Sequence, residues 1–473
     1  MTRINTNVPS LLAQRTLNMN QSKLNTSLTR LSTGLKINTG ADNPAGLIAS
    51  ENLRAEKVGI TQAIDNAERA GNIIGTAEGG LSEVSSLLNE LQALVSASAN
   101  KGGLSSEELD ANQLQVDSII ETIDRLAGST AFQGQKLLDG TYAYQTSSIV
   151  ASAFEDVRVN AAKIPDGAFV GVTVDVTASA ERGRIDGPNA AINTSTTIEV
   201  KGVHGSELLS FANGTSLADV ETAINNLTQV TGVEARISGG QMILESEEYG
   251  SDQFVSVSVI DGTFATSAPS DYGEDVTATV NGVQASSRGL NVQFRSAQLD
   301  VELDLTEEMG NMDAGLAGTA GFNAFEVVGG GAQFSLGAKV NENDKAGIGL
   351  LSISSGSLGT VGTGYLSSLK SGGPNDVRGN TNIAGQRVLD QAIKQVSTLR
   401  GRLGAFQKFT IGSTVNALGV AFENASAAES AIRDTDFAEE TSNLTRMQIL
   451  SQSATSALSQ ANTSPQLALQ LLG

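Results

Sequence analysis

The stretch Ile60-Thr-Gln-Ala-Ile-Asp-Asn-Ala-Glu-Arg-Ala-Gly-Asn-Ile-Ile-Gly-Thr-Ala-Glu-Gly-Gly-Leu-Ser-Glu-Val-Ser-Ser-Leu-Leu-Asn-Glu-Leu-Gln-Ala-Leu-Val95 decides how this chain must fold. Its apolar positions step by three and four without a break: Ile60, Ala63, Ala67, Ala70, Ile74, Ala77, Leu81, Val84, Leu88, Leu91, Val95, and then Ser98. That spacing is the a/d seam of a coiled coil, and it asks for partner helices along its whole length. Asp42-Asn43-Pro44 supplies the helix start, a capping side chain followed by Pro at or near the first helical position. From about residue 44 to 99 the helix would run on the order of 80 Å, a rod longer than a compact globular domain needs.

Outward from the rod, Asn100-Lys101-Gly102-Gly103 ends it, and Ser105-Ser106-Glu107-Glu108 reads as a capping box. The shorter helix that follows bears Leu109, Val116, Ile120, Ile123 and Ala127. A matching seam, Leu389, Ala392, Val396, Leu399, Leu403 and Phe406, lies far down the chain. Neither seam has a partner nearby. One antiparallel bundle built from both chain ends satisfies both, with the middle inserted as an excursion.

The extreme ends form a second pair. The first carries Leu17, Leu24, Leu28, Leu31 and Leu35. The last opens at Asp434-Thr435-Asp436, with Glu439 three residues after Asp436, and carries Phe437, Leu444, Met447, Leu450, Ala454, Leu458, Ala461 and Leu471. Both are narrow stripes on helices otherwise rich in Ser, Thr, Asn and Gln, too weakly apolar to be stable alone. They are expected to be disordered in a free subunit and to fold when neighbouring subunits cover them.

The middle, roughly 143 to 375, changes period to two. Val255, Val257 and Val259 alternate with serines, and Leu299, Val301, Leu303 and Leu305 alternate with Asp300, Glu302 and Asp304. Ser238-Gly239-Gly240 and Asn281-Gly282 read as hairpin turns, and a short helix after Ser216 presents Leu217, Val220, Ile224 and Leu227. The expected fold class is α+β: a long-helix coiled-coil bundle formed by the N- and C-terminal regions, with an inserted β-rich outer domain.

Composition fits a helical stripe core. Aromatics are 4% of the chain and Trp is absent, so Ala, Leu, Ile and Val must do the packing. The formal charge of −21 disfavours nucleic acid or an anionic membrane as partner, and predicts that salt helps self-association. Without cysteine there is no disulfide, thiolate nucleophile or Cys-ligated metal. Met1-Thr2-Arg3-Ile4-Asn5 opens without an apolar signal core, and no stretch approaches the length of a membrane span.

No catalytic, metal or cofactor constellation stands out. Gly329-Gly330-Gly331 lacks the Lys-Ser/Thr of a phosphate loop and reads as a flexible turn. Asn341-Glu-Asn-Asp344 lacks the spacing and terminal Glu of a calcium loop and reads as an exposed polar turn. Glu302, Asp304, Glu307 and Glu308 read as a solvated run of acids. The sequons at Asn213 and Asn226 are short enough to arise by chance.

The terminal segments resemble flagellins. Leu28-Thr-Arg-Leu-Ser-Thr-Gly-Leu-Lys-Ile-Asn38 followed by Ala41-Asp-Asn-Pro-Ala-Gly46 is similar to the family's N-terminal signature. Ala77-Glu-Gly-Gly-Leu-Ser-Glu-Val84 and Phe132-Gln-Gly-Gln-Lys-Leu-Leu138 continue the likeness. Ser430-Ala-Ile-Arg-Asp-Thr-Asp-Phe-Ala-Glu-Glu440, Gln448-Ile-Leu450 and Gln460-Ala-Asn462 to Leu471-Leu472 resemble the C-terminal signature. Thr197 to Ser246 is similar to a repeat motif of outer domains in flagellins and hook-associated proteins, and Phe325 to Gly337 resembles a segment before the C-terminal core of longer flagellins.

The resemblance implies a division of the chain. Residues 1–42 and 434–473 would be inner-tube helices, 43–142 and 376–433 the rod bundle, and 143–375 the variable outer domain, with 197–262 as the repeat-like motif. It further implies a secreted, non-enzymatic subunit of the flagellar filament used for motility, exported unfolded by the flagellar type III apparatus. Its partners would be copies of itself, an export chaperone on the C-terminal segment, and the filament cap and hook–filament junction proteins. A junction protein of the same superfamily is the alternative reading. Some flagellins resemble metallopeptidases in the outer domain, but those need a His-Glu-x-x-His helix, which the lone His204 cannot supply. Many flagellins also carry an arginine in a rod patch read by an animal toll-like receptor. Here the matching stretch is Leu88-Asn89-Glu90-Leu91-Gln92-Ala93-Leu94, with Glu90 in the arginine's place, so weak receptor activation is expected.

Overall fold

The computed structural model describes residues 6–165, 168–311, 324–379 and 382–470. Its helices are α1 (Val8–Thr33), α2 (Pro44–Ser98), α3 (Ser106–Ser129), α4 (Leu217–Asn225), α5 (Thr228–Thr231), α6 (Glu307–Gly310), α7 (Asn382–Ala405), α8 (Ser413–Arg433) and α9 (Phe437–Gln470). A π-helical turn, Phe406–Gly412, joins α7 to α8. Two compact units emerge: Met1–Asn66 with Gly337–Val340 and Ser413–Gly473, and Ala67–Leu336 with Asn341–Gly412. The long N- and C-terminal helices pack together, with a β-rich middle inserted between them, as the two distant seams require.

In the first unit, Asn7 caps α1 by accepting from the Ser10 N–H, and Gly34 ends it in the left-handed region at φ +73°. The chain then reverses beside the α8–α9 turn: Lys36 N–H donates to Arg433 at 2.6 Å and Thr435 N–H to Gly34 at 2.9 Å. Asn43 is the side chain that caps α2, accepting from Gly46 N–H at 2.9 Å. Asp42 serves the preceding turn instead. The Thr39 backbone N–H it accepts, followed by the Thr39 hydroxyl, holds its carboxyl below the usual aspartate range. Along α2 and α8, Lys57 meets Glu429 at 2.9 Å and Arg433 meets Glu51 at 2.9 Å.

In the second unit, α2 is tied to α3 where Asn112 donates to Ser98 at 3.1 Å, and to α7 where Arg400 meets Glu78 at 2.9 Å. The expected capping box forms, Ser105 with Glu108. Gln113 of α3 is buried and donates to the Leu369 carbonyl at 2.9 Å while accepting from Val377 N–H at 3.0 Å. Asp124 accepts from the Ser355 N–H at 2.7 Å and pairs with Lys370 at 2.9 Å. Residues 355–377 are thus held along α3 by polar side chains that no apolar period announces.

The β-rich middle has two apolar cores. The first lies between a five-stranded sheet, in spatial order 283–284, 277–280, 170–178, 324–330, 144–147, and a four-stranded one, 286–288, 291–295, 299–305, 154–162. Val172, Val174 and Phe325 from one sheet meet Phe154, Leu303 and Val301 from the other, with Phe154 and Phe325 edge to face at 5.6 Å. The second core runs from Ile185 to Phe264 and packs α4, through Val220 and Ile224, against the strands 196–201, 233–238, 241–246 and 254–261. Both hairpin turns form where the sequence places them. Gly239 and Gly240 (φ +60° and +82°) turn Ser238 onto Gln241, and Asn281 and Gly282 (φ +51° and +76°) turn Val280 onto Val283. Positive φ at both central residues matches the twist of the flanking strands, which is why Gly and Asn stand there.

The acids of the Leu299–Leu305 strand are not all freely solvated. Glu307 and Glu308 are exposed, but Asp300, Glu302 and Asp304 are half-buried. Burial pushes the Asp304 carboxyl above the usual range; Asn291, donating at 2.6 Å, and Arg158 oppose this, while Asp156 and Glu302 add to it. The folded chain therefore binds more protons at Asp304 than the unfolded chain does between the ordinary and the raised value. Stability is lost as pH rises through that window. Asp304→Asn, which keeps an acceptor for Asn291, is expected to raise the melting temperature at pH 7, with the gain vanishing once pH falls below the ordinary aspartate value. Paired thermal melts at both pH values check it.

Candidate assembly surfaces

The pairing of α1 with α9 starts from a three-four step that leucines alone do not reveal. On α1 the residues turned inward are Ala13, Leu17, Asn20, Leu24, Ser27 and Leu31; on α9 they are Glu440, Leu444, Met447, Ser451, Ala454, Leu458 and Ala461. Each set has heptad spacing, so the two helices meet along one antiparallel seam. Polar groups fix its register. Asn7 donates to the Ala461 carbonyl at 2.9 Å, Ser10 to Asn462 at 2.7 Å, Asn20 to the Leu450 carbonyl at 3.3 Å, and Arg30 pairs with Glu440 at 3.6 Å.

The most buried seam positions on α1 are Asn20 and Ser27, which contribute little apolar area. Larger apolar side chains on both helices point elsewhere. Val8, Leu11, Leu12, Met19 and Leu28 of α1 are exposed, as are Phe437, Ile449 (61%) and Leu450 (41%) of α9. The residues singled out from the sequence therefore divide. Leu17, Leu24, Leu31, Leu444, Met447 and Leu458 lie half-buried on the seam. Leu35 is half-buried in the reversal, bridged to Asp434. Leu28, Phe437 and Leu450 face outward, and Leu471 lies outside the described residues. The signal that separates the two faces was available: Asn20 and Ser27 each fall three residues after a seam leucine.

The rod seam is apolar throughout. Ile60, Ile74, Leu81, Val84, Leu88 and Leu91 are each 2% exposed or less. On α7, Leu389, Val396, Leu399 and Leu403 are buried too. Phe406 is the exception. It opens the π turn, whose wider winding takes it half out of the core, 6.1 Å from the Phe334 ring, and Ile411 is buried instead. Glu90 is exposed on α2, one residue before buried Leu91.

A groove of about 2570 Å³ lies beside the outer face of the 299–305 strand. Three of its carboxylates are paired with arginines: Asp156 with Arg158 at 2.6 Å, Asp300 with Arg295 at 2.7 Å, Glu307 with Arg182 at 2.6 Å. Among the described residues, no cluster of three or more His, Asp or Glu could hold a metal ion, and no helix is long and apolar enough to cross a membrane.

Long helices drawn from both chain ends, packed together around an inserted β-rich region, define the class: an α+β protein whose helical part is built from its two termini. Among known families, the bacterial flagellin N-terminal helical region matches residues 4–143, the C-terminal helical region 387–472, and the flagellin hook IN motif 197–248. A flagellin of Salmonella muenchen is 30% identical, with 99% of each chain covered, and flagellin D of Vibrio cholerae is also 30% identical at the same coverage. The solved structure of FliC from Burkholderia pseudomallei aligns over 72% of this chain and 99% of its own, at 17% identity and a TM-score of 0.26. The chain belongs to the bacterial flagellin family: it is a non-enzymatic filament subunit of the extracellular flagellum, serving motility.

Proposed function

We propose that the outward apolar row of α1 and α9 is the surface through which successive copies close the inner wall of the filament. The observation that carries this reading is the mismatch within the pair: Asn20 and Ser27 occupy its centre while Leu11, Leu12, Leu28 and Ile449 stand exposed. A pair so poor in buried apolar area folds weakly in a solitary subunit and firmly between neighbours. Residues 1–42 and 434–473 then form the inner tube, 43–142 and 376–433 the rod wall, and 143–375 the outward projection. A chain without cysteine suits passage as an unfolded thread through the flagellar type III apparatus, with a chaperone on the C-terminal segment and addition beneath a cap, above junction proteins. Salt-induced polymerisation of the purified subunit, viewed by negative-stain microscopy, tests the reading. Long tubular filaments are expected, and persistent monodisperse monomers would favour a junction protein.

Glu90 gives the exposed rod face an acceptor where receptor recognition in many flagellins uses a donor, and its charge repels an acidic partner. The purified monomer is expected to be a poor agonist of the animal receptor, and Glu90→Arg to raise its potency at least tenfold in a cell reporter assay, a change of about 1.4 kcal/mol.

A further inference from the structure

Glu247 lies between Arg387 and His204, side chains from separate segments. Arg387 of α7 places Nη1 3.3 Å from each of its carboxylate oxygens and donates from Nη2 to the Gln229 carbonyl at 3.5 Å. His204 Nε2 stands 3.8 Å from the Glu247 Oε2 atom. The histidine is fixed by backbone: its N–H donates to Thr231 at 3.2 Å, and its ring lies over Gly232, where a Cβ would come within 3.0 Å of Cδ2. Gly232 also accepts from the Glu247 N–H at 3.0 Å, so ring and carboxylate are held by one backbone turn.

We propose that Glu247 is a latch holding the second core, Ile185 to Phe264, against α7, and that protonation of His204 loosens it. With His204 neutral, the carboxylate belongs to Arg387. With His204 charged, it is divided between two cations that repel each other. The groups facing the imidazole set the direction: burial and then Arg387 lower its pKa, while Glu247 and Glu248 raise it less. A group whose pKa is depressed in the closed arrangement regains its ordinary value when that arrangement opens. Acid therefore shifts the population toward the open one. Both ion pairs are partly exposed, so each is weak, and a weak latch can open and close where a buried one would lock.

His204 is the chain's sole histidine, so the full-length subunit yields one imidazole Cε1–H signal for NMR titration. Arg387→Gln is expected to move the titration midpoint up and Glu247→Gln to move it down. Amide relaxation within the second core, residues 185–264, should show faster independent tumbling below the wild-type midpoint, and His204→Gln should abolish that change. A midpoint indifferent to both substitutions, or tumbling of that core constant across the titration, overturns the latch. If Glu247→Gln unfolds that core, Arg387→Gln, placed on α7, still decides the matter.

Discussion

Leu81→Ala is expected to lower the unfolding free energy of the subunit by about 2–5 kcal/mol, the range for emptying a packed leucine site. Leu81 is fully buried on α2, and its surroundings have little freedom to collapse into the space. The seam continues one step away at Ala77 and Val84, both fully buried. Beside it, the loop after α3 approaches so closely that a Cβ on Gly80 would lie 2.9 Å from the Thr130 hydroxyl and 3.0 Å from Leu138. A helix clamped along its length cannot shift at one point without disturbing the next contact, so the cavity term should be felt in full. Glu90→Ala, on the exposed face of the same helix, is the matched control and should change stability by less than about 0.5 kcal/mol. Guanidinium unfolding followed by circular dichroism gives both numbers. A loss below about 1 kcal/mol at Leu81 would mean that the seam is not a packed interior.

That prediction could be written from the sequence, because an unbroken three-four step in Ile, Leu, Val and Ala leaves one burial pattern open to a long helix. The same is true of the two hairpins, where Gly239-Gly240 and Asn281-Gly282 carry the turn chemistry in their own residues. Legibility falls where polar groups do the holding. Nothing in the period of α3 marks Gln113 as buried, since its role depends on the backbone of Leu369 and Val377, which reach it from far along the chain. The π turn was equally hidden. Phe406 continues the heptad on paper, and only the extra residue in the turn moves Ile411 into its place. Asp304 looked solvated because alternation tells which face a residue takes, not what covers that face. At the terminal helices the leucines were visible, but sorting them into seam and outer row needed the polar seam positions Asn20 and Ser27.

That sorting leads to the other large effect. Ile449→Asp is expected to abolish filament growth under salt conditions where the wild-type subunit polymerises, while leaving the subunit's far-ultraviolet dichroism unchanged. Ile449 is 61% exposed and lies off the α1–α9 seam, so an aspartate there meets water in the solitary molecule. Between copies it would meet the apolar row of a neighbour. An ionised carboxylate placed there without a partner costs several kcal/mol, and each 1.4 kcal/mol raises the concentration needed for growth about tenfold. The added charge also works against assembly in a chain already at −21. Met447→Asp makes the contrast, since Met447 is half-buried on the seam and its replacement should disturb the helix pair itself. Removing 434–473 altogether should stop growth as well, while the β-rich cores, which draw nothing from those residues, melt as before. Microscopy across a range of protein and salt concentrations reads all three variants. If Ile449→Asp forms filaments of ordinary length at the wild-type concentration, the exposed row does not mediate assembly, and the surface that does must be sought elsewhere on the subunit.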